Sequence, residues 1–378
     1  MMTTAATRQL HERGQSLWLD NITRQMLDTG QIQHYINEYS ITGLTSNPSI
    51  FDKAIESGYY DDAIRAAATP TRTHEDLFFE LAIEDLRRAA DLFLPIHERT
   101  DRVDGWVSLE VSPLLAYDTD ATIQAAKTLH ARAGRPNLLI KIPGTKEGLR
   151  AVTECVAAGI PVNVTLLFSA DHYRAAASAY VDGVERRVEQ GRDPAVGSVA
   201  SVFMSRWDVA VADQVSAQSP LQPQAGSARL SPPPSLKDQL GLAVGLDTYR
   251  AYRRFLDSDA MQRLDNYGAR PQRLLWASTR TKDPAASDTL YVHGLAAPFT
   301  IDTMPDTTLE AFHDHGKVGE PMPADGGACD VMLSHFADAG VDVVALAERL
   351  QREGAQGFVA SWNDLLARIS AQRAALSC

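Results

Sequence analysis

Short apolar runs alternate with longer stretches of helical period along most of the chain, as in a parallel α/β fold whose strands lie buried beneath helices. Seven runs predict strands: SLWLD at Ser16–Asp20, ITGLTSN at Ile41–Asn47, WVSLEV at Trp106–Val111, NLLIKIP at Asn137–Pro143, PVNVTLLFS at Pro161–Ser169, VGSVASVFMS at Val196–Ser205 and RLLWAST at Arg273–Thr279. An eighth is placed at LYVHGLA, Leu290–Ala296. Helices are predicted over Thr23–Tyr39, over Thr73–Arg99 with a capping acid in HEDL, over ATIQAAKTLHARAG, from the N-cap Thr145, and over DHYRAAASAYVDGVERRVEQG. Asp330–Leu376 reads as further helices. Eight strands with their helices, plus extra N- and C-terminal helices, fit a (β/α)8 TIM barrel.

The chain has 378 residues, a length that suits two ordinary domains or one such barrel. The pattern favours the single barrel. A stretch at about 216–236, rich in Pro, Ser and Gln, reads as a surface insertion rather than a domain boundary. Hydrophobic residues make up 44% and charged residues 22%, enough for a sizeable core. With 36 Lys+Arg against 48 Asp+Glu the net charge is −12, which argues against a nucleic-acid partner. No apolar segment of membrane-spanning length and no signal-peptide pattern occurs, so a cytoplasmic protein with no membrane partner is expected. Cys155, Cys329 and Cys378 are far apart and show no metal-ligand spacing; Cys155, in an apolar run, is expected to be a core residue.

In a barrel of this kind the reactive groups sit at the C-terminal ends of the strands. The polar residues that end the runs are Asp20, Asn47, Glu110, Lys141, Asn163, Thr165, Ser201 and Ser278, with Arg206 and Arg280 just beyond. Lys141 stands among LLI and IP, where an ammonium finds no water unless the strand opens into a pocket. Two readings follow. Either Lys141 is paired with Glu110 or snorkels to an edge, or it is a Schiff-base nucleophile whose neutral amine attacks a ketone. Carbinolamine chemistry then needs proton transfer, for which Glu110 and Thr165 are candidates, and carbon–carbon cleavage needs a base, for which Asp20 is a candidate.

Simpler roles compete at each position. Asp20 could cap the following helix, Asn47 could form the turn before Pro48, and Arg206 and Arg280 could make ordinary surface ion pairs. As a pair beyond two strands, the arginines suit a phosphate dianion, with Ser201 and Ser278 adding hydroxyl donors. FHDHG at 312–316 resembles a metal pair in His313 and His315 but has no helpful further ligands, and reads as a helix end with Gly316 as C-cap.

Taken together, TGLTSNPSIF, SLEVSP, NLLIKIPGTKEGL, NVTLLFS and LLWASTRTKDP resemble the transaldolase family, in order and over nearly the entire chain. The proline-rich loop and long C-terminal helices resemble its longer bacterial group. The resemblance implies a Schiff-base mechanism without metal or cofactor, moving a dihydroxyacetone unit between sugar phosphates on a barrel that is a monomer or homodimer. By motif, Lys141 would be the Schiff-base lysine and Asp20 the acid/base for cleavage, while Glu110 and Thr165 would hold the catalytic water. Asn47, Asn163 and Ser201 would bind dihydroxyacetone hydroxyls, and Arg206, Arg280 and Ser278 the phosphate. Ser201 and Arg206 are matched by spacing alone, because SVASVFMSRWD lacks the proline and glycine of shorter members. A related enzyme that releases free dihydroxyacetone would carry a tyrosine near the water; Glu110 in SLEVSP favours transfer. Retention of every proposed acid, base and nucleophile argues against a sugar-phosphate-binding protein without turnover, and an isomerase working by enolisation would not need a buried lysine of this kind.

Overall fold

A computed structural model describes residues 5–67, 69, 71–217 and 236–376. Eight parallel strands close into a barrel in chain order: β1 (Ser16–Leu19), β2 (Ile41–Leu44), β3 (Val107–Glu110), β4 (Leu138–Pro143), β5 (Val162–Leu167), β6 (Ser198–Phe203), β7 (Arg273–Ala277) and β8 (Ile301–Met304). Nearly every strand residue is buried, because one face meets helices and the other the barrel axis. Alternation therefore sends every second residue inward. Trp18, Leu139, Val199, Leu275 and Ile301 fill the middle of the barrel. Two residues further along the same strands, Asp20, Lys141, Ser201, Ala277 and Thr303 line a cavity at the C-terminal mouth.

The opposite end is closed by a polar plug. Asp104 accepts hydrogen bonds from Ser16 Oγ and, at 2.8 Å, from Trp18 Nε1, with Arg273 Nη1 at 4.0 Å. Gly43 on β2 makes room for that indole, since a Cβ there would lie 2.7 Å from the Trp18 ring and from the Trp106 carbonyl oxygen.

The first seven strands fall within the runs that predict them. The eighth does not: Leu290–Gly294 is a short helix, and the strand is Ile301–Met304. Leu290–Ala296 is apolar because Tyr291 and Val292 are buried, with the Tyr291 hydroxyl donating to Asp208 at 2.5 Å. The true strand, IDTM, conceals its nature behind Asp302, a fully buried carboxylate that accepts from Thr279 Oγ1 at 2.9 Å. The helix predicted over Thr23–Tyr39 is two, Arg24–Asp28 and Gln31–Glu38, separated at Gly30, whose φ of 75° is left-handed. Thr145 caps Lys146–Ala158 as expected. Gly316 ends Asp306–His315 in extended rather than left-handed conformation. The Pro/Ser-rich stretch lies mostly outside the described residues.

Two helices, Cys329–Asp338 and Val343–Leu376, end the chain. The last reaches the barrel mouth, where Gly357, Phe358 and Ser361 form part of the cavity wall. Gln351 Nε2 ties it to the carbonyl oxygens of Gly144 after β4, at 3.1 Å, and of Leu166 on β5, at 2.9 Å. Further along, Trp362 stacks edge-on against Phe78 of the long helix His74–Arg99.

Burial pushes the Asp302 carboxyl up to about 7, against 3.8 for an unperturbed aspartate, and the bond from Thr279 only partly offsets this. Between those values the folded state holds a proton that the unfolded chain has lost, so this group makes stability fall as pH rises from about 4 to 7. Asp302→Asn keeps the acceptor for Thr279 and removes the charge. Urea unfolding at a series of pH values should show a flatter profile for the variant, and at pH 8 a gain on the order of 4 kcal/mol, for the rise from 3.8 to about 7 at about 1.4 kcal/mol per pKa unit. An unchanged slope would show that Asp302 is not responsible.

Candidate active site

The barrel mouth holds a cavity of about 420 Å³. Its floor is built by strand ends, its far wall by Arg206, Ser278, Arg280 and Lys282, and another side by the C-terminal helix. Lys141, Asp20, Thr165, Asn47 and Ser201 also line it.

Lys141 is buried on β4, and its Nζ lies 3.3 Å from Glu110 Oε2 on the paired β3. It donates to the Ser46 carbonyl at 3.2 Å and stands 5.6 Å from the centroid of the Phe358 ring. Lys141 is thus paired with Glu110, as one of its two readings has it, and also lines the cavity. Burial pushes the Glu110 carboxyl up, and Lys141 pulls it part of the way back. The Lys141 contact is close enough to count as an ion pair, but its direction falls short of a hydrogen bond; neither Glu110 oxygen has a hydrogen-bond partner among the described residues. Thr165 Oγ1 on β5 is likewise buried without one. Native interiors rarely leave such groups unpaired. Glu110 and Thr165 stand on the two strands that flank β4 and its Lys141, and their oxygens are suited to a water molecule or a reacting hydroxyl.

The bend that presents Thr165 is local. β5 loses register with β6 between Val164 and Leu167, and Leu166 takes a φ of 59°. The Thr165 carbonyl accepts from Gly144 N at 2.7 Å, which holds the ends of β4 and β5 together.

Asp20 does not cap the next helix. That role belongs to Thr23, whose Oγ1 accepts from Met26 N at 3.1 Å. Asp20 instead accepts from Thr45 Oγ1 at 2.9 Å, and Thr45 meets Thr303 Oγ1 at 2.8 Å. Burial raises its carboxyl above the usual range, while Lys141, Thr45 and Lys282 counteract that rise. Asn47 does serve its local role: its Oδ1 accepts from Ile50 N at 3.2 Å and caps Pro48–Glu56. Its Nδ2 donates to no described residue, and the residue still lines the cavity.

Asn163 and Glu110 lie beneath the cavity surface rather than on its lining. Asn163 is fully buried, donates to Ser108 Oγ at 3.1 Å and accepts from Ser201 Oγ at 2.7 Å. It supports Ser201 from below.

Arg206 begins the helix Arg206–Ala217, with its guanidinium over the Phe203 ring at 5.4 Å. Arg280 follows Ser278, whose φ of 55° is uncommon for serine and whose Oγ lies 3.0 Å from Ser205 Oγ. Thr279 between them is pinned through Asp302 and the Thr303 carbonyl. Lys282 completes the cationic wall. Burial and the charges of Arg280 and Arg206 lower its ammonium pKa, and Asp20 raises it. Its neighbour Asp283 is engaged by Lys237 instead. Three cations, none of them in a salt bridge among the described residues, suit an oxyanion of the size of phosphate.

The histidines of FHDHG are occupied elsewhere. His313 bonds Thr7 Oγ1 at 3.0 Å and stacks on Tyr39, and His315 meets Asp288 at 3.1 Å.

A family model described as transaldolase/fructose-6-phosphate aldolase matches residues 17–369. The chain belongs to that family. Among its relatives, a transaldolase of Kocuria rhizophila is 42% identical over 372 residues, covering 97% of this chain and 98% of that one. A transaldolase of Thermobifida fusca is 42% identical over 371 residues, with the same coverage of both. One from Trichodesmium erythraeum is 36% identical over 370 residues, covering 97% of each.

Within this member of the family, sequence reasoning missed Thr45, Thr303, Lys282, Phe203, Phe358 and Ser361, all of which line the cavity. Thr45 precedes Asn47 by two positions and shares its side of the chain, and Lys282 stands two beyond Arg280, so the alternation could have found both. Nothing in the sequence around Phe358 and Ser361 places them at the mouth.

Thr45→Val removes the hydrogen bond that favours the Asp20 carboxylate, so Asp20 should titrate at a higher pH in the variant than in the parent. Carboxyl NMR titration, assigned with Asp20→Asn, measures this directly. An unshifted or lowered midpoint would show that Thr45 does not tune Asp20.

Proposed function

We propose that this protein transfers a dihydroxyacetone unit from sedoheptulose 7-phosphate to glyceraldehyde 3-phosphate, giving erythrose 4-phosphate and fructose 6-phosphate. The observation that carries this reading is the buried Lys141 amine, 3.3 Å from Glu110, at the floor of a cavity whose far wall is cationic. Nearly full-length likeness to relatives named transaldolase supports it. The reaction belongs to the non-oxidative pentose phosphate route and to the cytoplasm. No helix among the described residues is long and apolar enough to cross a membrane.

The geometry supports the following steps. Glu110, whose carboxyl is pushed up by burial, is a fit acceptor for the proton of the adjacent Lys141 ammonium. The freed amine attacks C2 of the donor ketose, and a water held by Glu110 and Thr165 carries protons as the carbinolamine loses hydroxide to become an iminium. Asp20 takes the proton of the C4 hydroxyl. The C3–C4 bond breaks, the shorter aldose leaves, and its electron pair remains on the three-carbon fragment as an enamine. Addition of C3 to the acceptor aldehyde reverses these events, and hydrolysis returns the amine. Asn47 and Ser201 hold the hydroxyls of the fragment, Asn163 orients Ser201, and Arg206, Arg280, Ser278 and Lys282 hold the phosphate.

A coupled assay with fructose 6-phosphate and erythrose 4-phosphate, following formation of glyceraldehyde 3-phosphate, tests the reading. Lys141→Met should lower kcat by at least about a thousandfold, as removal of a covalent nucleophile does. Substantial turnover in that variant would refute the assignment. Lys282→Met should raise KM for fructose 6-phosphate roughly tenfold to hundredfold, the worth of one charge-assisted hydrogen bond, with kcat less affected. Arg280→Ala should act in the same sense. An unchanged KM in Lys282→Met would remove that lysine from the phosphate site.

A further inference from the structure

The transfer reading demands something the strand ends do not supply. Between departure of the first aldose and arrival of the second, the enamine on Lys141 must not meet water. Protonation of its C3 gives an iminium; water added at C2 then breaks the C2–Nζ bond, releases dihydroxyacetone and returns the amine to Lys141. That hydrolysis competes with transfer at every turnover, and its rate depends on what covers the amine.

Phe358 stands over it. The ring centroid is 5.6 Å from Lys141 Nζ and 6.5 Å from the Phe203 ring on β6, and both rings face the cavity. The helix that carries Phe358 is fixed close to the mouth by several contacts along one face. Gln351 donates to the Gly144 and Leu166 carbonyls. A Cβ at Gly354 would come within 3.0 Å of Leu166 Cδ2 and 3.6 Å of Arg206 Nη1, so the backbone approaches as closely as glycine permits. Ser361 continues the same face into the cavity wall, and Trp362 anchors the next turn in the core. Residues 351, 354, 358 and 361 follow the spacing of one helical face. Phe358 is the apolar member that meets the nitrogen of Lys141, and a ring in that position takes space that water would otherwise fill.

We infer that Phe358 is a specificity-determining residue of the C-terminal helix: it shields the carbon bound to Lys141 and thereby favours transfer to an aldehyde over hydrolytic release of dihydroxyacetone. The inference rests on the Schiff-base transfer reading above. It assigns to the C-terminal helix a function in partition rather than in fold alone.

The test compares two rates in the same preparation. Fructose 6-phosphate alone reports hydrolysis, as dihydroxyacetone released; with erythrose 4-phosphate added, sedoheptulose 7-phosphate reports transfer. Phe358→Ala should raise the ratio of release to transfer roughly three- to thirtyfold, as water gains access to the carbon bound to Lys141. Phe358→Leu, which keeps an apolar cover, should stay closer to the parent, a split that loss of helix packing would not produce. Phe358→Gln, polar but of similar reach, should behave like the alanine variant and serves if the latter does not fold. An unchanged ratio in folded Phe358→Ala or Phe358→Gln, with transfer intact in the parent, would overturn the inference while leaving the transfer reading standing. Absence of transfer in the parent would overturn both.

Discussion

The rest of the site depends on a buried amine held beside a buried carboxylate. Lys141 and Glu110 face each other at 3.3 Å across the β3–β4 pairing, each stripped of most of its water. Such a pair is weak support for stability, because desolvation of both charges competes with their attraction. The carboxylate oxygens carry no good hydrogen bonds, Thr165 adds a third unsatisfied oxygen, and the amine opens onto a cavity.

The barrel supports this arrangement from several directions. Its interior is packed around Trp18 and sealed below by Asp104 and Arg273, so the mouth is the one end of the axis left open among the described residues. Below the lining, Asn163 and Ser108 fix Ser201, and Thr45 and Thr303 fix Asp20. Behind the sheet, Asp302 fixes Thr279 and with it the turn that carries Ser278 and Arg280. The polar side chains of the cavity thus stand on strands or just beyond their ends, while a row of inner partners sets their orientation.

Much of this was legible in the sequence, for a physical reason. A strand buried on both faces is apolar throughout, so any polar residue near its C-terminal end is conspicuous, and Asp20, Glu110, Lys141, Thr165 and Ser201 were found that way. Asn47 and Asn163 are conspicuous in the same way; the first caps a helix and lines the cavity, and the second is buried beneath it against Ser201. The eighth strand was hidden because the same logic failed: Asp302 points outward, and its tolerance in a buried strand depends on Thr279, a partner that alternation cannot reveal. Leu290–Ala296 misled in the opposite sense, since its apolar residues cover the barrel from a helix. Phe358 was beyond reach because it stands on a long helix whose period gives its face but not its target; the choice of the barrel mouth comes from tertiary contacts at Gln351, Gly354 and Trp362.

The central claim is that Lys141 forms a covalent intermediate with a ketose. Incubation with fructose 6-phosphate and borohydride, followed by intact mass and peptide mapping, tests it most directly. The account predicts a single reduced three-carbon adduct on the peptide that contains Lys141. An adduct on another lysine, or none despite demonstrated binding of the sugar phosphate, would contradict it.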